Sequence, residues 1–115
     1  RLSVGDMMGR MMSEYFLPLL GHFGFKDYLK ANPDVPDSDV TAEYCARNNW
    51  IVGSPATVTE KIEKIYREVG GFGTLLVFGF DYKHKPEAWH NSLRLLKHEV
   101  MPRLKHLDAD LIKAA

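Results

Sequence analysis

Asp81 and His84 are the residues of this sequence best typed for proton transfer, since a carboxylate can orient an imidazole that gives or takes a proton. A three-residue step across a loop is also what an ordinary solvated turn looks like. Gly53-Ser54, followed by Pro55, could present backbone N–H groups to an anion at the start of a helix. The commoner role of such a serine is to cap the helix. Phe78, Phe80 and Tyr82 alternate at strand spacing and so share a face, suited either to stacking on a flat ring or to filling a core. Met7, Met8, Met11 and Met12 form a soft apolar group that suits an irregular ligand pocket, a core or a partner helix.

Other chemistries find less support. The five histidines, His22, His84, His90, His98 and His106, show neither a three- or four-residue helical step nor a Cys/His cluster, so no metal site is expected. His90, His98 and His106 follow an eight-residue step and fit a solvated rim of one helix. Cys45 is the single cysteine; it cannot form an internal disulfide and has no recognisable nucleophile context. Gly70-Gly71-Phe72-Gly73 follows a helix and precedes an apolar run, the reverse of the order a pyrophosphate loop requires.

The elements that must position these residues are well punctuated. Met8, Met11, Met12, Tyr15, Phe16, Leu19 and Leu20 recur at steps of three and four and predict one apolar helical stripe, ended or kinked by Pro18. Residues 31–41 carry Pro33, Pro36 and a run of turn-forming polar residues, which predicts a surface connector, functional or mobile. A short helix is expected over 41–47, then an apolar run, Trp50-Ile51-Val52, that suits a short buried parallel strand or a plain hydrophobic turn. Ser54 and Pro55 open a helix with Val58, Ile62, Ile65, Tyr66 and Val69 on its inner face, and Gly70 closes it. Leu75 to Phe80 lacks polar alternation, as a strand buried on both faces would. Pro86 starts a last helix with Trp89, Leu93, Leu96, Val100 and Leu104 inside, and Pro102 marks a kink or an early stop.

This βαβα rhythm implies a parallel sheet with helices packed outside it. At 115 residues the chain is long enough for one domain, but a complete α/β barrel needs roughly 250 residues. The first residue is Arg1, and the chain is expected to be a piece of something longer. Fifteen basic residues offset fifteen acidic ones, so there is no electrostatic footprint for nucleic acid or an anionic membrane. No apolar run approaches a membrane span, and with one cysteine the default expectation is the cytoplasm.

The segments Val52-Gly53-Ser54-Pro55-Ala56-Thr57-Val58, Gly70-Gly71-Phe72-Gly73-Thr74-Leu75-Leu76, Ser92-Leu93 and Glu99-Val100-Met101-Pro102-Arg103, in that order, resemble the C-terminal end of the bacterial luciferase-like flavin-dependent monooxygenases. The resemblance covers residues 44–107; residues 1–40 match more loosely. It implies α/β architecture, the C-terminal portion of a (β/α)8 TIM barrel, helix-dominated with two short parallel strands. Residues 1–43 would be a helix with a variable Pro/Asp-rich insertion, and 44–115 the last two βα units. Trp50 to Val52 would be the seventh strand and Leu75 to Phe78 the eighth.

The resemblance further implies reduced FMN, supplied by a separate flavin reductase, acting with dioxygen on a small apolar substrate, and a homo-oligomer. Gly53 and Ser54 would border the cofactor, with Met8, Met12, Phe16, Phe80, Asp81 and Tyr82 toward the substrate. No residue is assigned a catalytic role, because most flavin contacts of the family belong to earlier strands. The isolated segment is expected to be inactive. Two alternatives are a deazaflavin-dependent oxidoreductase and a non-catalytic helical module for interaction or oligomerisation.

Overall fold

The structure, a computed structural model, describes residues 7–77 and 85–114, with side chains over 7–77 and 85–107. The chain divides after Trp50 into two compact units.

The first unit opens with helix α1, residues 7–22, which runs through Pro18 without ending. Proline has no N–H to donate, and its ring crowds the carbonyl four residues back. The helix accommodates it with a π turn over Met12–Phe16, after which the Leu17 N–H donates to the Met12 carbonyl, five residues back. The wider turn also re-phases the side chains. In a regular α-helix, residues five apart lie about 140° from one another around the axis. Here Met12 and Leu17 are both core residues, 8% and 7% exposed. The expected single stripe is therefore split, with Tyr15, Phe16 and Leu19 on the exposed surface.

Helix α1 ends in a Schellman motif. Gly24 takes φ 71°, the Phe25 N–H donates to the Leu20 carbonyl at 2.7 Å, and the Gly24 N–H donates to Gly21 at 3.2 Å. Short 3-10 turns at Lys26–Leu29 and Asp37–Asp39 bracket the proline-rich connector. Helix α2, Ala42–Asn48, follows, capped by Thr41, whose hydroxyl oxygen accepts from the Tyr44 N–H at 3.2 Å. Its buried face, Ala42 and Cys45, packs with Met12, Leu17 and Val40, and Leu29, Val35, Tyr44 and Trp50 surround that cluster.

The second unit holds helix α3, Pro55–Glu68, which buries Thr59, Ile62 and Tyr66. The Thr59 hydroxyl donates back to the Pro55 carbonyl at 2.8 Å, so its burial leaves no unmet polar group. A second Schellman motif closes α3. Gly70 has φ 78°, the Gly71 N–H donates to Tyr66 at 2.8 Å, and the Gly70 N–H donates to Arg67 at 3.3 Å. The Phe72 ring packs edge-on against Tyr66, centroids 5.2 Å apart.

Helix α4, residues 86–114, passes through Pro102, so the early stop expected there is corrected. A π turn over Leu96–Val100 again precedes the proline, and the Met101 N–H donates to the Leu96 carbonyl. Val100 and Leu107 are buried at 2% and 5% exposure. The buried Tyr66 hydroxyl donates to the Leu107 carbonyl at 3.0 Å, tying α3 to α4. Of the expected inner stripe, Leu93 lies instead at the surface, 40% exposed.

The two expected strands do not form among the described residues. Trp50 to Val52 and Leu75 to Val77 carry no strand, and Leu75, Leu76 and Val77 are exposed rather than buried on both faces. A strand is a ladder made with a neighbour, and an apolar segment without that neighbour has the composition of a strand but not its hydrogen bonds.

Candidate functional site

At the Gly53-Ser54 corner the Ser54 hydroxyl and carbonyl cap α3. The Ser54 hydroxyl oxygen accepts from the Thr57 N–H at 3.2 Å and lies 3.0 Å from the Thr57 hydroxyl. The Ser54 carbonyl accepts the first intrahelical bond, from the Val58 N–H at 2.9 Å. Pro55 has no N–H to offer. Gly53 sits at φ 148°, and a Cβ there would stand 2.9 Å from both Cβ and Cγ2 of Thr57. The corner therefore requires glycine for its own closure against Thr57, and the cap reading of Ser54 accounts for the geometry.

Among the residues expected toward the substrate, Met12 belongs to the core cluster of the first unit, and Met8 is half-buried on α1. Phe16 is 37% exposed and meets Tyr15 edge-on, centroids 5.3 Å apart. Phe80, Asp81 and Tyr82 lie outside the described residues, as does His84. The candidate residues thus divide between the two units. In the cap the Ser54 hydroxyl oxygen acts as an acceptor toward the Thr57 N–H, as an ordinary helix cap does. Among the described residues no group of three or more His, Cys, Asp or Glu is placed to hold a metal ion. No described helix is long and apolar enough to cross a membrane. Cys45 has a fully buried side chain, and burial pushes its thiol pKa up, away from the reactive thiolate.

Two features of the first unit were not anticipated from the sequence. After α1, His22, Phe23, Phe25 and Tyr28 form a run of ring contacts with centroids 5.1 to 6.2 Å apart. Phe23, Phe25 and Tyr28 are exposed at 59%, 48% and 84%. The signal was present as four rings within seven residues. The second feature is Lys30, whose side chain is only 10% exposed and whose ammonium contacts Asp27 Oδ1 at 2.5 Å and Asp37 Oδ1 at 2.7 Å. The Asp27–Lys30 step of three was readable as a local pair, whereas Asp37 is brought in by the turn of the connector.

No protein-family model matches the chain. It is 36% identical over 104 residues to 3,6-diketocamphane 1,6-monooxygenase of Pseudomonas putida, covering 90% of this chain and 28% of that protein. The 2,5-diketocamphane 1,2-monooxygenases 1 and 2 of the same organism are each 31% identical over 100 residues, or 85% of this chain. The chain therefore spans 28% of the length of the curated relatives it matches. Its structure superimposes with a TM-score of 0.78, at 36% identity over 90% of its length, on a solved Type II Baeyer-Villiger monooxygenase. That protein is the oxygenating constituent of the P. putida 3,6-diketocamphane monooxygenase, in complex with FMN. On this joint likeness of sequence and structure, the chain is a homologue of the luciferase-like, flavin-dependent monooxygenases, matched over a segment of them.

Proposed function

We propose that this chain forms part of a two-component flavin monooxygenase that uses reduced FMN and dioxygen to oxidise a small apolar ketone. The observation that carries the reading is the match, at a TM-score of 0.78 and 36% identity, to an oxygenase in complex with FMN. In this reading residues 44–115 supply the last two βα units of a TIM barrel, and 1–43 supply a helix and a variable insertion before them. Leu75 to Val77, apolar at three consecutive positions and exposed, are then the residues that neighbouring strands cover. Flavin would supply the oxygen chemistry, and this chain would contribute apolar wall and rim; the flavin itself is held mainly by residues elsewhere in the protein. A separate reductase delivers the reduced flavin, and the working enzyme is a homo-oligomer.

The test is a chimera in which this chain replaces the matched segment of the P. putida 3,6-diketocamphane 1,6-monooxygenase. Saturable FMN binding and oxygen-dependent conversion of a bicyclic ketone to a lactone are expected from the chimera, and neither from the isolated chain. A well-folded chimera that binds FMN without oxidising any ketone would overturn the substrate class. Turnover by the isolated chain would overturn the division of the site. The exposed rings of Phe23, Phe25 and Tyr28 favour one second reading, a module for association. A concentration-dependent mass for the isolated chain, abolished by Phe23→Ser with Phe25→Ser, would support it.

A further inference from the structure

The widened turn of α1 leaves a band of rings outside the first core. Leu17 goes inward, while Tyr15 and Phe16 stay at the surface, where they meet edge-on. Leu19, also exposed, stands four residues from both Tyr15 and Phe23 and joins them along one face of the helix. Past the Schellman motif the band continues through Phe23, Phe25 and Tyr28, each ring in contact with the next. None of these six residues belongs to the cluster of Met12, Leu17, Val40, Ala42 and Cys45, or to the side chains packed around it. Taking about 200 Å² for a whole aromatic side chain, the exposed parts of the five rings come to roughly 600 Å². That reaches the upper end of the largest apolar patch on a typical monomer, about 300–600 Å². It also approaches the roughly 800 Å² that each partner buries in a stable interface.

We propose that this band is the face on which a second copy of the chain docks, ring against ring across a two-fold axis, a reading that rests on the homo-oligomer proposed above. Area and charge select this occupant. Aromatic side chains are enriched in such interfaces, and rings that pair edge-on or stacked within one copy offer the same geometries to another. Over the span of the band, residues 15–28, the charged side chains besides His22 are Lys26 and Asp27, one of each sign. Just ahead of it, Arg10 and Glu14 pair with each other at 3.4 Å. A second copy therefore brings no net charge against its like, whereas a partner steered by charge finds no field here. A small ligand needs a concavity, and the depression at Asp27, Lys30, Ala31, Asn32 and Pro33 has no ring in its lining.

The test measures the mass of the whole chain against concentration by sedimentation equilibrium. The wild type is compared with Phe25→Lys, Tyr28→Lys and, as a control on the exposed run of the second unit, Leu76→Lys. A reversible dimer is expected for the wild type. Phe25→Lys and Tyr28→Lys should each raise its dissociation constant about tenfold or more, the loss typical of a central interface ring. Leu76→Lys should leave it unchanged. Tyr28 is 84% exposed, so its replacement decides the outcome should Phe25→Lys fail to fold. A wild type that stays single at every concentration would overturn the proposal. So would a dimer that Leu76→Lys abolishes and both ring variants leave intact. The same ring variants in the chimera with the P. putida enzyme separate the docking face from the homo-oligomer beneath it. A chimera dimer that both variants dissociate, with FMN binding kept, is the expected result. A chimera that is single without them overturns the homo-oligomer itself, and a dimer they leave unchanged overturns only the docking face. Unfolding of the chimera by both would overturn the proposal by giving the band to the rest of the same polypeptide.

Discussion

The two units use the same devices at their helices and differ in what they leave uncovered. Each carries a helix that passes through a proline by widening one turn, and each ends a helix in a Schellman motif at a left-handed glycine. In the first unit the widened turn brings Met12 and Leu17 onto one side, and the core closes around Cys45. In the second, α3 and α4 are joined through Ile62, Tyr66, Val100 and Leu107, while Leu75 to Val77 remain exposed. Helices complete their own hydrogen bonds, so a pair of them can form a small core from local sequence. A strand cannot, because its partners are elsewhere.

The largest expected effect tests whether the first core is self-sufficient. Leu17→Ala removes a buried side chain from a small cluster and is expected to cost about 2–5 kcal/mol, read by denaturant titration of the first unit's amide signals. The second unit's signals should stay in place, and a simultaneous loss of both would break the comparison. Next comes Gly53→Ala, which meets Thr57 at 2.9 Å and a backbone φ of 148°; a cost of about 1–3 kcal/mol is expected from strain of this kind. Adding Thr57→Gly should recover part of it, and no recovery would mean the backbone angle, not the contact, sets the cost.

Smaller still are the two caps. Ser54→Ala and Thr41→Ala each remove a hydroxyl that accepts a helix N–H, and each should cost about 1 kcal/mol. Equal losses would mean that Ser54 acts as a cap like any other. In the chimera with the P. putida enzyme, an FMN affinity loss from Ser54→Ala with little loss of stability would show a second role in the assembled site.

The smallest effect is a pH dependence of the Lys30 ion pairs. Lys30 holds the Asp37 carboxyl below its ordinary value, so that contribution is present at neutral pH and lost as pH falls through the lowered value. Asp27 and Asp37 raise the Lys30 ammonium, so its contribution is lost only as pH rises through that raised value. Lys26 adds a further positive charge facing Asp37. The ion-pair contribution, read as the stability of the first unit against pH, should therefore be flat through the neutral range and fall at either end. A step near pH 6–7, the range of an ordinary histidine, would assign the dependence to another group.

What the sequence by itself determined is what neighbouring residues decide among themselves. Thr41 and Ser54 are caps, Pro55 occupies a first helical turn, and Gly24 and Gly70 take the left-handed geometry that stops a helix, all by interactions within a few residues. The family likeness was legible in part for the same reason, since Ser54, Pro55 and Gly70 belong to the ordered segments that carry it. Tertiary structure decided the rest. Pro18 and Pro102 lie inside helices because a widened turn ahead of each lets the helix continue, a turn that the neighbouring residue types do not announce. That turn sent Leu17 inward and Phe16 outward, and so moved the residues that a regular helix would have aligned. Lys30 gained its second ion-pair partner when the connector carried Asp37 back to it. Leu75 to Val77 have the composition of a buried strand, but burial and pairing are supplied by other elements, and that physical requirement cannot be met by a segment on its own.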